Sequence, residues 1–199
     1  MENKFIEALK SRRTIYSLGN KIPVSDARIE EILAQAVTHV PSAFNSQSSR
    51  ATLLLGAKHD AFWDSLKEVL RSIVPAEAFP QSEAKVNGFK AGHGTVLFFE
   101  DQAVVEGLQA QFPAFAANFP VWSGNSTGML QFAVWTAFAT EGVGASLQHY
   151  HPLVDAWVSE NLNVPASWRL TAQMPFGEIL APAGEKAFSP ITERFRVVR

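Results

Sequence analysis

A helix-length run from Ser126 to Glu141 is apolar on most faces, through Met129, Leu130, Phe132, Ala133, Val134, Trp135, Ala137 and Phe138. A surface helix buries one apolar stripe and turns its polar side to water, whereas a helix apolar all round has to be covered all round. A chain of 199 residues is long enough for one domain with a sizeable core, and residues 1–199 are read as one domain. In a chain this short the covering of such a helix is expected to include a second subunit. A membrane span is not expected, because Thr140 and Glu141 interrupt the run before the ~20 apolar residues that a bilayer requires.

The remaining segments supply a sheet and further helices. Phe5, Ile6 and Leu9 make an amphipathic first helix ending at Arg12-Arg13, where cations suit the helix dipole. Ile29, Ile32, Leu33, Ala36, Val37 and Val40 recur at helical spacing, with Ser25 as the N-cap and Pro41 as the stop. A strand is expected near Ala51 to Leu55, and a third helix through Phe62, Trp63, Leu66, Val69, Leu70 and Ile73. From Pro75 to Gly94 the pattern weakens, punctuated by Pro80, Gly88, Gly92 and Gly94, and reads as a long excursion with at most one short helix. Thr95 to Phe99 is a buried strand closed by Glu100-Asp101, and Val104, Val105 and Leu108 suggest a helix after it. Gly142 and Gly144 end the long apolar helix, and Leu153 to Leu162 makes another. Leu170, Ala172 and Met174 then alternate with Thr171 and Gln173 as a strand that Pro175 is expected to stop. Beyond Pro182 the chain has little local reason to fold by itself. Few strands among many helices give an α+β class.

Composition and motifs exclude several kinds of chemistry. A net charge of −2 and a pI near 6.2 give no electrostatic case for nucleic acid or an anionic membrane surface. The absence of cysteine rules out disulfides, thiolate metal sites and cysteine nucleophiles. The amino end, Met1-Glu2-Asn3-Lys4, has no apolar signal-like stretch, so a cytoplasmic protein is expected. There is no Gly-x-Ser-x-Gly elbow and no phosphate-binding P-loop, and Gly142-Val143-Gly144 lacks the third glycine of a dinucleotide fingerprint. Of His39, His59, His93, His149 and His151 only the last two are close, with no Asp or Glu cluster beside them, so no metal site is expected.

Three segments keep a functional reading. Between an apolar helix and an apolar strand lies Pro41-Ser42-Ala43-Phe44-Asn45-Ser46-Gln47-Ser48-Ser49-Arg50, rich in amides and hydroxyls that read planar heterocycles and sugars rather than move protons. Loop capping is the plainer account of it. Arg12-Arg13-Thr14 joins two guanidinium groups and a hydroxyl, a set suited to phosphate, although a solvated helix end explains it equally well. Gly142 to Tyr150 offers a glycine-loosened backbone whose N–H groups can face a ligand or simply make a sharp turn. The chain also has 15 Phe and 5 Trp, crowded at Phe112, Phe115, Phe119, Trp122, Phe132, Trp135 and Phe138. Such rings fill cores and subunit interfaces, and they also stack on flat ligands.

Taken together and in order, these segments resemble the nitroreductase family of flavoproteins, with its Arg-Arg-Ser after a first helix, Pro-Ser-x-x-Asn-x-Gln, and Gly-x-Gly after a long helix. Pro120-Val121-Trp122-Ser123, Ser126-Thr127-Gly128-Met129-Leu130, Ala145 to Tyr150 and Met174-Pro175-Phe176-Gly177 are similar to the short copper-induced and fungal-type branch. The resemblance implies a nitroreductase-like fold, with a central, mostly antiparallel sheet flanked by helices, in an intertwined homodimer with FMN at the interface. Arg12, Arg13, Thr14 and Lys186 would hold the phosphate and ribityl chain. Pro41, Ser42 and Asn45 of the other subunit would line the ring and ribityl, with Gln47 supporting their loop. Leu147, Gln148 and His149 would run past the isoalloxazine, one backbone N–H meeting its N5. NAD(P)H would give hydride to N5, and a nitroaromatic, quinone or similar acceptor would then take it in a ping-pong cycle that needs no catalytic side chain of the protein. A non-catalytic flavin- or aromatic-binding regulatory protein on the same fold is the alternative. Two departures stand out: Tyr16 replaces a residue often basic in the family, for which Lys85 or Lys90 is the candidate substitute, and Ser48-Ser49 replaces a Pro-Trp pair.

Overall fold

Thr95-Val96-Leu97-Phe98-Phe99 forms the centre of β3 (Gly94–Asp101), and its unbroken apolar run reflects helices packed on both sheet faces. Successive strand side chains point to opposite faces, so each layer takes alternate residues. Val96 and Phe98 join Ala172, Met174 and Phe176 of β5 (Trp168–Ile179) against α2 (Asp26–His39) and α6 (Phe119–Thr140). Leu97 and Phe99 join Leu54 and Leu170 on the other face, against α3 (Gly56–Ile73), α4 (Phe79–Lys90) and α7 (Asp155–Leu162). The computed structural model describes residues 3–199. Met1 and Glu2, where the amino-end reading begins, lie outside them.

The ladders are antiparallel: β2 (Ser49–Leu55) pairs with β3, β3 with β5, and both β1 (Leu18–Gly19) and β4 (Gly144–Ala145) with β5. One isolated parallel bridge, Thr14 with Ala145, is added to them. The central sheet flanked by helices and the α+β class are as the sequence led one to expect. Among the described residues no helix is long and apolar enough to cross a membrane.

Local chemistry explains the helix ends. The first helix, α1 (Lys4–Ser11), closes with the Arg12 N–H on the Ala8 carbonyl. The Ser25 hydroxyl accepts the Arg28 N–H at the start of α2, satisfying one of the unpaired first-turn donors. At the start of α5 (Gln102–Gln111) the Asp101 carboxylate accepts the Ala103 N–H.

Three expectations are corrected. Residues 75–94 are no loose excursion, because α4 occupies most of them, with Pro80 in its first turn and Phe79, Val86 and Phe89 buried. Pro suits that position, where a helix N–H has no internal partner. Pro175 does not stop β5. The Phe176 carbonyl accepts from His93 N on the β3 side, whereas the Pro175 carbonyl accepts from Ser146 N on the β4 side. The missing proline N–H therefore faces Ser146, where the pair keeps one bond of two, and the ladder with β3 loses nothing. Finally, α6 begins at Phe119, not near Ser126; its polar first turns bury Ser123, Ser126 and Thr127. Leu130, Val134 and Phe138 sit in the core, whereas Val121 and Met129 are 62% and 41% exposed and Gly124 and Gly128 face open space. The chain thus covers only part of this helix. After Leu180 the only regular element is the single turn α8 (Ile191–Arg194), with Phe188, Ile191, Phe195, Val197 and Val198 exposed.

A buried relay joins α3, α4 and β3. Trp63 Nε1 donates to Thr95 Oγ1 (2.9 Å), which lies 2.9 Å from His59 Nδ1, while His59 Nε2 is 3.0 Å from the Lys90 carbonyl. A carbonyl only accepts, so Nε2 carries the hydrogen and Nδ1 takes the threonine proton, the pattern of a neutral ring. Burial pulls His59 below the ordinary imidazole value, with the Lys90 bond opposing it in part. The unfolded chain therefore binds this proton at a higher pH than the folded one. Stability is expected to fall as the pH drops below about 6.5, by at most ~1.4 kcal/mol per pH unit from this group. Urea unfolding of wild type and His59→Gln across this range should show that component missing from the variant.

Candidate functional site

The Ala145 carbonyl anchors the site. It accepts the Ile15 N–H (2.9 Å) and Trp135 Nε1–H (3.1 Å), so the chain leaving α1 is held against β4 and α6. Gly144 is required for this approach, since a Cβ there would lie 2.8 Å from Ile179 Cγ1 and 3.1 Å from Ile15 Cγ2. Gly142, at φ +75°, makes the left-handed turn that ends α6.

Arg12 and Arg13 play different parts. The Arg12 guanidinium lies over the Trp135 ring, 4.4 Å from its centroid, and its buried Nε has no hydrogen-bond partner. Arg13 Nη2 donates to the Gly184 carbonyl (2.5 Å) and clasps the carboxyl-terminal segment. Between residues 12–17 and 181–186 this leaves a cavity of about 470 Å³ that includes Thr14, Tyr16 and Lys186. A second cavity of about 640 Å³ adjoins it, lined by Leu9, Lys10, Arg12, Arg13, residues 186–189 and Arg194. Five cationic residues line the two cavities against one acidic residue, Glu185. A buried guanidinium donor without a partner in such surroundings suits a phosphate. The structure therefore brings Arg12, Arg13, Thr14 and Lys186 together, and it adds Tyr16 and Arg194. Of the candidate substitutes for the basic residue at position 16, Lys90 pairs with Asp64 (2.6 Å) and Lys85 lies over Phe89, and neither lines these cavities.

The polar loop lies elsewhere in the same chain. Pro41, Ser42 and Gln47 border a small cleft with Val37, Val40, Ser49 and Leu130. Ser42 Oγ accepts the Gln47 N–H (2.9 Å), and Gln47 Nε2 reaches the Asn45 carbonyl at 3.5 Å. Phe44, Asn45 and Gln47 all have φ between 48° and 57°, a conformation costing roughly 1–2 kcal/mol for each non-glycine residue. Asn45 and Gln47 are exposed. The Phe44 ring meets Phe112, Phe119 and Trp122 at centroid distances of 5.1, 5.2 and 5.8 Å, so part of the aromatic crowding gathers around this loop.

The far end of the loop holds what the sequence reading missed. Ser48 and Ser123 donate to Glu100 Oε2 at 2.6 and 2.7 Å, and Ser49 donates to Oε1 at 2.5 Å, as does the Thr127 hydroxyl. Glu100 itself is fully buried. The available signals were an acidic residue ending an apolar strand and the i, i+4 hydroxyls Ser123 and Thr127, which lie on one face once α6 starts early enough.

Leu147, Gln148 and His149 continue from β4. Gln148 and Gln173 exchange both backbone hydrogen bonds (2.7 and 2.9 Å), the buried Gln148 side chain donates to Ser146 Oγ (3.0 Å), and the Gln173 side-chain carbonyl accepts the Tyr150 N–H (2.7 Å). The N–H groups of Leu147 and His149 therefore point away from β5, by strand alternation. Leu147 is half-buried and His149 exposed; partial burial, and secondarily the charge of His151, lower the His149 pKa. Among the described residues no group of three His, Cys, Asp or Glu side chains could hold a metal.

If Arg13 clasps the tail, Arg13→Ala should raise amide hydrogen exchange across residues 182–187 by about tenfold or more, as expected for losing a charged hydrogen bond, while exchange in α2 stays unchanged.

Comparison with known proteins gives consistent matches. The model of the nitroreductase family matches residues 9–178. Nitroreductase FRM2 of Saccharomyces cerevisiae is 35% identical over 189 residues, covering 92% of each chain. The structure of the nitroreductase CinD from Lactococcus lactis in complex with 4-nitrophenol superposes with a TM-score of 0.90 at 46% identity, covering 98% of this chain and 100% of that one. A nitroreductase with bound FMN from Desulfitobacterium hafniense shares the fold at a TM-score of 0.72 and 15% identity, over the whole of both chains.

Proposed function

This chain belongs to the nitroreductase family, and from that premise we propose that it is an FMN-dependent enzyme using NAD(P)H to reduce nitroaromatics, quinones or similar electron-poor acceptors. The observation that carries the reading is the cationic cavity beside β4, lined by Arg12, whose buried Nε has no partner, with Arg13 and Lys186. That donor set fits a phosphate monoester. Arg12, Arg13, Thr14 and Lys186 hold the phosphate and ribityl chain, and Arg13 acts partly by keeping residues 181–186 in place.

The segment 147–149 then runs beside the ring. Because the Gln148 N–H is engaged by Gln173, the backbone donor offered to the ring belongs to Leu147 or His149. Bound in this way, FMN supplies the redox chemistry, accepting hydride from the nicotinamide and passing it to the acceptor. The protein's part is to orient the ring and to supply fixed dipoles and positive charge where electron density builds up. No side chain is required as an acid or base.

A homodimer completes this reading. Pro41, Ser42 and Asn45, held by Gln47, come from the partner and line the ring. The uncovered face of α6, with Val121, Gly124, Gly128 and Met129, and the exposed apolar residues after Phe188 supply surface for the second subunit. The aromatic cluster around Phe44 offers a flat apolar wall for the acceptor.

Purified protein should be yellow, with flavin absorbance near equimolar to chain, and anaerobic NADH or NADPH should bleach it. A colourless protein that does not take up FMN would defeat the proposal, and a yellow one that neither nucleotide reduces would instead be a flavin-binding sensor. Arg12→Ala should weaken FMN binding by ~1.5–3 kcal/mol, the typical value of a hydrogen bond to a charged group, as measured by fluorescence titration of the apoprotein. Unchanged affinity would return the arginine pair to a plain helix end.

A further inference from the structure

Glu100 carries a carboxylate into the interior, where it is completely shielded from water. Among the described residues no ion pair reaches it; the neighbouring Arg50 is paired with Asp101 at 3.0 Å. A buried carboxylate without a cation is costly unless its lone pairs are filled. Here Ser48 and Ser123 donate to one oxygen and Ser49 and Thr127 to the other, matching the roughly four acceptor sites of an ionised carboxylate. Charge-assisted bonds of this kind are stronger than neutral ones.

The four hydroxyls come from two places. Ser48 and Ser49 end the polar loop and open β2, whereas Ser123 and Thr127 lie one turn apart in α6. The carboxylate therefore ties the far end of the loop to both β3 and α6. That loop has three non-glycine residues in the left-handed region, at positions 44, 45 and 47, a geometry that persists only when its surroundings enforce it. Between the strained residues and β2 the cage is the nearest buried fixture.

We propose that Glu100 is a positioning residue of the flavin site, setting through its hydroxyl cage the loop that carries Pro41, Ser42 and Asn45 to the partner's ring. This rests on the reading above, in which that loop lines the ring and ribityl rather than the phosphate. The side chain touches no ligand itself. Its influence should fall on the part of the flavin that the loop meets, and this separates it from the arginines of the cationic cavity.

The test is Glu100→Gln, nearly the same in shape but without the charge, with Ser123→Ala as a milder variant that leaves the loop sequence intact. Binding of FMN and of riboflavin, which lacks the phosphate, is measured on apoprotein well below each variant's melting temperature. Glu100→Gln should weaken both ligands by a similar factor, about tenfold or more, and Ser123→Ala should do so to a smaller extent, whereas Arg12→Ala should weaken FMN more than riboflavin. Wild-type affinity for both ligands in folded Glu100→Gln or Ser123→Ala protein overturns the proposal, as does a loss confined to FMN. Amide exchange of residues 42–47, compared with that of β5, reads the cage without any ligand: faster exchange in the variants supports the positioning role, and unchanged exchange overturns it. If wild-type protein binds neither ligand, the flavin reading itself fails, and with it the proposal.

Discussion

β5 is the strand on which the other strands and the cationic cavity depend. Its twelve residues pair with β3 along one edge and with β4, then β1, along the other. Two of its residues make this possible by what they lack. Pro175 has no N–H, and that gap faces Ser146 and leaves the ladder with β3 whole. Gly177 has no Cβ, and one would collide with the Gly19 carbonyl oxygen of β1. β4 in turn presents the Ala145 carbonyl to Ile15 and Trp135, which fixes where α1 releases Arg12 and Arg13. The position of a guanidinium in the cavity wall thus follows from a register set in the middle of the sheet.

The helices on the two sheet faces serve different ends. Behind the α3 and α4 helices one polar group closes on the next, in the relay from Trp63 through Thr95 and His59 to the Lys90 carbonyl. On the α2 and α6 side the polar groups lead outward, because the hydroxyls on Glu100 continue into the loop and the first turns of α6 continue into Phe119 and Trp122 beside Phe44. Strand alternation sets this division in β3, where Thr95, Leu97 and Phe99 face one layer and Val96 and Phe98 the other, and a register shift between Phe98 and Phe99 carries Leu170 of β5 to the layer opposite Ala172.

Periodicity made much of the fold legible. Ile29, Ile32 and Leu33 are buried in α2, Phe62, Trp63, Leu66 and Leu70 in α3, and Ser25 caps its helix as its residue type suggests. What stayed hidden depended on tertiary partners. The apolar run reads as a helix only from Ser126, and the preceding turns of α6 stay unassigned; Ser123, Ser126 and Thr127 of this helix are buried, two as ligands to a carboxylate that lies 23 and 27 residues away in the chain. Local pattern cannot see such a partner. The same holds for Ser48-Ser49, which stand out in the sequence only as a departure from the family's Pro-Trp pair and are two of the four donors on Glu100. The cationic cavity was half legible: Arg12-Arg13-Thr14 stood together in sequence, but only the fold brings residues 181–186 across them.

The separation of the two polar segments has a consequence for assembly. Arg12, Arg13 and Lys186 line a cavity at the end of α1, and Ser42 and Gln47 border a different cleft at the end of α2. In the proposed function the phosphate clamp comes from one chain and the polar edge for the ring from its partner. In that proposed pairing α6 would meet the second chain: Leu130, Val134 and Phe138 face its own core while Val121, Gly124, Gly128 and Met129 face outward. The glycines leave a shallow track along which another backbone can approach closely, and the apolar residues beside them gain from being covered. The Glu100 cage grips α6 from the inner side through Ser123 and Thr127, within the same turns that turn Gly124 and Gly128 outward. On the proposed reading, the fixture that positions the loop would also stiffen the helix that meets the partner, so that dimer formation and flavin binding would draw on one buried carboxylate.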